Sequence, residues 1–448
     1  MVQAEIAVIR FGLGARPGEL AAAAADPFAW LSSQTTGVVS LTSSIALAPC
    51  QEIFAAIRSA REEMRAMKRD ATSTLNPLRD TYLPHYRAQV LARAQSAALT
   101  TKPFAERLVH FWANHFAVST DKSPLFGLAG TLENEAIRPH VNGRFVDLLT
   151  AVEQHPAMIA FLDNQNSVGA NSETSRRAEQ RQAKRKFGIN ENLAREILEL
   201  HTLGVRSGYT QIDVTTFANI ITGWSISETG RFFFRENAHE PGAKIFMGKS
   251  YTQDGQAQGE AVLADLVHHP ATAQFIATKL CRHFIADEPP PATVSRVAHA
   301  FMASGGDLRH VYAALIETPE AWDSRARKFK TPEDFVFSTL RGLNISPSDP
   351  QLVVRDFELL GQRQYTPGSP AGWPDTAKSW DGSDALMHRV LWASRIAARY
   401  EQGSNPLEVA TSCLGTQVRP ETRSALRRAA SASQALALLL MSPEFQRR

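Results

Sequence analysis

The chain has 448 residues, of which 44% are hydrophobic and 21% charged, ordinary values for a globular protein. The length exceeds a single usual core, so two or three helical subdomains are expected. A formal net charge of +3 is too mild for a nucleic-acid binder, and three widely spaced cysteines argue against a disulfide framework or a thiolate zinc site.

The first ten residues carry neither a basic segment nor a long apolar run, and no later run approaches a transmembrane span. The expected location is therefore cytoplasmic. The Gly12-Leu13-Gly14 sequence lacks the strand, turn and third glycine of a dinucleotide fingerprint. Helical periodicity then marks residues 51–68, 81–99 and 103–118, followed by shorter segments at 131–139, 144–154 and 156–163. Residues 165–188 are polar and irregular and are read as an exposed excursion. A helix over 191–203 follows, with Asn190 as N-cap, Gly204 as terminator, and Leu193, Ile197 and Leu200 as its buried stripe. The next starts at Thr210, where Asp213 three residues on completes a capping box, and stops at Gly223.

The clear strand signal comes next. Phe232-Phe233-Phe234 and Lys244-Ile245-Phe246-Met247 flank a turn at His239 to Gly242, which reads as a β-hairpin with a long loop. Helices resume at 257–267, 270–286, 292–303, 307–316 and 333–342. A Pro/Gly/Ser-rich passage at 343–383 reads as loop, and 384–401 and 421–440 as the final helices. Four corners place proline at the first position of a new helix, at Pro156, Pro270, Pro319 and Pro443, where its missing N–H costs nothing. His155, His269, Thr318 and Ser442 stand in front of them as candidate caps.

The fold expected is mainly α, a multi-helix globular protein with a small β-hairpin insertion. Its organisation is a 1–100 N-terminal helical region, a 101–230 central region with the polar site, a 231–256 hairpin, a 257–345 helical region, and a 346–448 loop with C-terminal helices.

Two segments carry more polar groups than packing helices need. On 103–118, Phe104, Leu108, Phe111 and His115 share one stripe, so His115 faces inward. On 191–203, His201 leans toward the apolar side beside Glu196 and Glu199, with Arg195 four residues before Glu199. His115, His201, Glu196 and Arg195 are the catalytic candidates: a histidine as base or ligand, a carboxylate as its partner or as acid, and a guanidinium as anion contact. Trp112, Asn114, Asn164, Asn166, Asn192 and Arg138 are the substrate-binding candidates, because aromatic faces stack and amides orient a sugar-like ligand. The bland readings stand beside these: core histidines, i,i+4 ion pairs and turn-forming asparagines. Two histidines with carboxylates could hold a divalent metal, yet no His-x-x-x-His or Glu-x-x-His spacing supports one, and metal and cofactor stay unassigned. No Gly-x-Ser-x-Gly elbow is present. The cluster Arg176-Arg177…Arg181…Lys184-Arg185-Lys186 is read as a solvated loop, or as a site recruiting an anion.

Several of these runs resemble one family. They are Phe111-Trp112-Ala113-Asn114-His115-Phe116, Glu133-Asn134…Arg138-Pro139-His140, Leu162-Asp163-Asn164, Asn190 to Gly204, Thr222-Gly223-Trp224, His269-Pro270-Ala271-Thr272-Ala273, Gly372-Trp373-Pro374 and Ser442-Pro443-Glu444-Phe445. Together they resemble the bacterial domain-of-unknown-function family 1800 over nearly the whole chain. The resemblance implies no reaction. It implies a partner, because the family's genes commonly neighbour sulfatase-like proteins of family 1501 that often carry twin-arginine export signals. Co-export with such a partner makes the periplasm the alternative location. The family tends to have His-Asp where this chain has His239-Glu240.

Two functions follow. One is a hydrolase-like enzyme, or enzyme subunit, acting on an anionic or carbohydrate-like substrate through a His/Glu/Asn/Arg site on helices. The other is a non-catalytic helical scaffold or chaperone for a sulfatase-like partner, its polar residues forming satisfied interior networks.

Overall fold

A computed structural model describes residues 2–67, 77–123, 125–181, 187–325, 328–401 and 405–448. The helices read from periodicity are present, at Cys50–Met67, Pro77–Leu99, Pro103–His115, Phe145–Glu153, Gln256–Val267, Pro270–Phe284, Pro291–Ala303, Leu308–Ile316, Pro332–Gly342 and Ser383–Tyr400. The chain is mainly α with a small β insertion. No described helix is long and apolar enough to cross a membrane.

The caps explain many boundaries. Thr210 and Asp213 form the reciprocal box that starts Gln211–Ile220, and Thr331 with Asp334 does the same for Pro332–Gly342. His155 and His269 are true caps, their Nδ1 atoms accepting the N–H of Ala157 and Ala271 at 3.1 Å. Ser442 accepts from the Phe445 N–H at 3.3 Å. Thr318 differs: its hydroxyl donates back to the Ala314 carbonyl at 2.8 Å.

The insertion also differs from its reading. Phe232–Phe234 (β2) pairs antiparallel with Trp224–Ile226 (β1), and Lys244–Phe246 (β3) with Lys249–Tyr251 (β4). Each strand finds its mate across a short local turn, rather than across the long His239–Gly242 connection, because short loops close at lower entropic cost. The passage at 343–383 contains a helix, Pro350–Leu359, whose start is fixed by Asp349 accepting from Gln351 and Leu352 N–H groups. Further helices lie at Glu173–Gln180 and Pro406–Leu414, and 421–440 divides into Pro420–Arg428 and Ala432–Leu440.

Asn190 accepts the Asn192 N–H at 2.9 Å, and the helix opens at Asn192, one residue later than read, with Glu191 at the N-cap position. After Glu196 that helix continues as a π turn, Ile197–His201. The i→i+5 winding alters the register, so the buried set becomes Leu193, Ala194, Ile197, Leu198 and His201, and Leu200 leaves the stripe. Two other π turns, Ala7–Phe11 and Leu132–Ile137, similarly interrupt simple periodicity.

Two large hydrophobic cores form, beside a small cluster of Ala4, Val8, Ala15 and Ala23. The larger gathers Phe11, Phe104, Trp112, Phe116, Phe145 and Phe284, among others from Ile6 to Ala321. The smaller joins Tyr86 to Ala98 with Phe335, Phe357, Trp392 and Phe445. The Pro77–Leu99 helix serves both, with Tyr82 in the larger and Tyr86 in the smaller. The Pro103–His115 helix packs beside it, and the polar site opens between the two cores.

Candidate functional site

A cavity of about 420 Å³ is walled by residues from both cores, within the size range of small-molecule sites. The Pro103–His115 helix supplies Arg107, His110, Phe111, Asn114 and His115. The Pro270–Phe284 helix supplies Lys279, Arg282 and His283, and Pro332–Gly342 supplies Glu333 and Asp334. Glu133 comes from a π turn, and Gln364, Tyr365, Trp373 and Asp375 from the segment after residue 361.

That segment is pressed onto the helix by one side chain. The Asn114 amide donates to the Trp373 carbonyl at 2.9 Å and accepts the Trp373 N–H at 2.7 Å. Gly372 makes the approach possible: its φ is +81°, and a Cβ there would lie 2.2 Å from the Asn114 carbonyl oxygen. Asn114 thereby fixes the position of Asp375, two residues on.

Asp375 meets His283. Its Oδ2 accepts the His283 Nδ1 proton at 2.6 Å, while its Oδ1 takes Arg448 at 3.3 Å and Lys328 at 3.4 Å. Burial would raise the Asp375 pKa, but His283 and Lys328 override this and hold it well below the carboxylate range. Burial pushes His283 down to about 4 despite Asp375, so the ring is neutral at physiological pH. With Nδ1–H given to the carboxylate, Nε2 holds a lone pair and is without a hydrogen-bond partner. An imidazole oriented by a carboxylate, in a side chain that lines a cavity, has the arrangement of a general base.

Two ion networks brace the walls. On one side Arg138 grips Glu106 through two bonds at 2.6 and 2.9 Å, and Arg93 pairs with Glu133 and Glu333. The His110 ring lies between Glu106 and Glu333 at 3.5 and 3.6 Å. Burial opposes ionisation of Glu106, but the Arg138 charge keeps its carboxyl far below its usual range. On the other side Asp334 is shared by Arg107 and Arg448, each at 2.8 Å. Arg448 also donates to the His283 carbonyl at 2.6 Å, and its backbone pairs with Lys328 in both directions at 2.9 Å.

The other sequence candidates fall in several places. His115 lines the cavity, its Nε2 donating to the His201 carbonyl at 3.1 Å. Burial lowers its pKa well below the ordinary histidine value. His201 lies behind it, ring centroids 6.1 Å apart, and is bonded through Nδ1 to Glu153 at 2.7 Å. Trp112 is buried and donates to the Tyr312 hydroxyl at 2.7 Å. Arg138 belongs to the first network. Glu196 is half-buried, its pKa raised by burial, with His201 and Glu199 among its charged neighbours. Arg195 pairs with Glu191 and Glu199. Asn164 is buried and caps the Ile221 and Trp224 carbonyls, and Asn166 and Asn192 are exposed. None of Glu196, Arg195, Asn164, Asn166 and Asn192 lines the cavity. Glu240 clamps Asn171 through its N–H at 2.8 Å and its amide at 2.6 Å. In the basic cluster, Arg177 pairs with Glu173, and Lys184 to Lys186 lie outside the described residues.

His283, Asp375, Lys279, Arg107 and Asp334 were not among the residues singled out for the site. Each is one polar residue in an ordinary helix or loop, and only the Gly372-Trp373-Pro374 run stands beside any of them in sequence.

One further group could be mistaken for a metal centre. Cys50, Glu135 and His155 bring ligand atoms within 4.8 Å of one another. His155 Nδ1 already accepts a backbone N–H, so the neutral ring carries its proton on Nε2, the atom a metal would need. Glu135 accepts the Cys50 N–H at 2.7 Å, and burial pushes the Cys50 thiol up to about 12. Burial also raises Cys281 to about 12 and Cys413 to about 11, so all three cysteines are buried neutral thiols.

No curated protein and no solved structure matches the chain. A family model described as protein of unknown function (DUF1800) matches residues 6–447, and the chain belongs to that family.

Proposed function

We propose that the protein is a hydrolase-like enzyme acting on a small anionic substrate in the cavity between its two cores. The observation that carries this reading is His283: a neutral imidazole held by Asp375, lining a 420 Å³ cavity, with its Nε2 without a hydrogen-bond partner. In this reading Nε2 removes a proton from a water molecule as it attacks the substrate. Asp375 stabilises the imidazolium that forms, and Lys328 and Arg448 keep the carboxylate from taking the proton itself. The imidazolium then passes that proton to the leaving group, which restores the neutral ring.

His283 is preferred to the histidines that the sequence suggested. His115 also has a free nitrogen, Nδ1, but a backbone carbonyl backs its ring and would not stabilise an imidazolium as a carboxylate does. His201 has a carboxylate partner but does not line the cavity. The test is turnover of a panel of nitrophenyl esters, phosphates and sulfates by the wild type and by His283→Gln. A hydrolysed substrate whose rate falls at least ~100-fold in the variant supports the assignment. Equal rates overturn it.

The scaffold reading has one feature in its favour. Met387, Val390 and Leu391 on the Ser383–Tyr400 helix and Leu438 on the neighbouring Ala432–Leu440 helix are exposed apolar residues. In that reading the sulfatase-like partner docks there, and a pull-down with Met387→Glu/Leu391→Glu as control tests it.

A further inference from the structure

Arginines, a lysine and carboxylates all line the cavity, but its carboxylates are engaged by Arg93, Arg107, His283, Lys328 and Arg448, which leaves two lining cations without an ion-pair partner among the described residues. Arg93 is paired with Glu133 and Glu333, and Arg107 with Asp334. Lys279 and Arg282 also line the cavity, and neither forms an ion pair among the described residues. The Lys279 ammonium lies 5.6 Å from the centroid of the Phe275 ring. Arg282 donates its Nε to the Asp287 carbonyl at 3.1 Å, a neutral acceptor. Both stand on the Pro270–Phe284 helix, Lys279 one turn before His283 and Arg282 adjacent to it.

We propose that Lys279 and Arg282 form a subsite for an oxyanion, the carboxylate or phosphate group of a small organic substrate, and so anchor that substrate beside His283. The proposal rests on the cavity being the functional site. Three points support it. Arg282 offers a planar fork and Lys279 a point charge, and together they can neutralise up to two negative charges. The wall's carboxylates are already engaged: Glu133 and Glu333 by Arg93, Asp334 by Arg107 and Arg448, and Asp375 by His283, Lys328 and Arg448. The rest of the lining includes Phe111, Phe116, Val118, Trp373 and Pro374, which suits an apolar body attached to the anionic head.

The energetics of Lys279 point the same way. Burial drags its pKa down to about 8, and Asp375 only partly offsets this, so the half-buried ammonium is left without a direct ion pair. An entering anion supplies the counter-ion. A lysine that served the fold alone would show the opposite balance, since breaking a satisfied buried pair is strongly destabilising.

The test is calorimetric titration of the full chain with inorganic phosphate and with benzoate at low ionic strength. It is run on the wild type, Lys279→Met and Arg282→Met, with melting temperatures of all three. Saturable binding of either probe, weakened at least ~10-fold in both variants and by added salt, supports the subsite. Benzoate alone identifies a carboxylate head and phosphate alone a phosphate head. Lys279→Met is expected to melt at or above the wild-type temperature while losing the anion, a gain in stability at the expense of function. Absence of saturable binding to the wild type, undiminished binding to both variants, or a lower melting temperature for Lys279→Met overturns the proposal. The readout is binding, so an error in assigning His283 as base would leave this result intact. A missing anion site would likewise leave the effect of His283→Gln on turnover unchanged.

Discussion

His201 and His283 are built alike. Each gives Nδ1 to a carboxylate (Glu153 at 2.7 Å, Asp375 at 2.6 Å), and each leaves Nε2 without a hydrogen-bond partner, although His201 is buried and His283 half-buried. Their surroundings differ. His201 packs its ring against Phe116 at 5.2 Å behind the wall, while His283 faces a cavity that also holds Lys279 and Arg282. A histidine–carboxylate pair is therefore not a catalytic signature by itself. Access and neighbouring charge decide whether it is chemistry or scaffolding.

The largest expected effect separates the two pairs directly. His283→Gln and Asp375→Asn should each lower turnover at least ~100-fold, and His201→Gln should leave kcat within a few-fold while lowering the melting temperature. Steady-state kinetics beside calorimetry would show it, and equal kinetic losses at both histidines would dissolve the distinction. Next in size, Arg138→Met strands Glu106 as a buried carboxylate without its bidentate partner and should cost about 3–5 kcal/mol in denaturant unfolding.

A pH series sharpens the comparison further. His283 has a folded pKa near 4, below the ordinary value of 6.5, because burial favours the neutral ring. Its contribution to stability is complete above about pH 6.5 and is lost as pH falls through about 4, since the unfolded chain takes up the proton first. The kcat/KM profile should rise with an inflection near pH 4, and His283→Gln should abolish that limb. The smallest effects belong to the caps. Thr210→Ala and Thr331→Ala should each cost about 1 kcal/mol. Only the second touches the cavity lining and should also perturb anion binding.

Sequence periodicity gave most helices because their burial really does recur at helical spacing. It failed where the winding changes. The π turn at Ile197–His201 shifted which residues face inward, and no local propensity announces an i→i+5 turn. The site was legible in part. The 110–116 run reaches the cavity through His110, Asn114 and His115, yet the side chain of Asn114 works on the backbone of Trp373, more than 250 positions away. His283 and Asp375 escaped notice because nothing in the spacing of one segment reveals a bond to another. The Pro350–Leu359 helix was masked by the Pro/Gly/Ser content around it, although Asp349-Pro350 is a sound start signal.

The position of Arg448 has a consequence for folding. Its guanidinium joins Asp334, Asp375 and the His283 carbonyl, groups drawn from three separate stretches of chain, and Arg107 enters the same cluster from a fourth. Contacts of such sequence separation form late and slowly, since loop-closure entropy must be overcome before they return any stabilisation. Until they form, a partly folded chain holds desolvated charges without their partners, so the smaller core cannot close tightly ahead of them. Assembly of the acid–base machinery and completion of the fold thus become one cooperative event, and a fragment ending before Arg448 should yield neither.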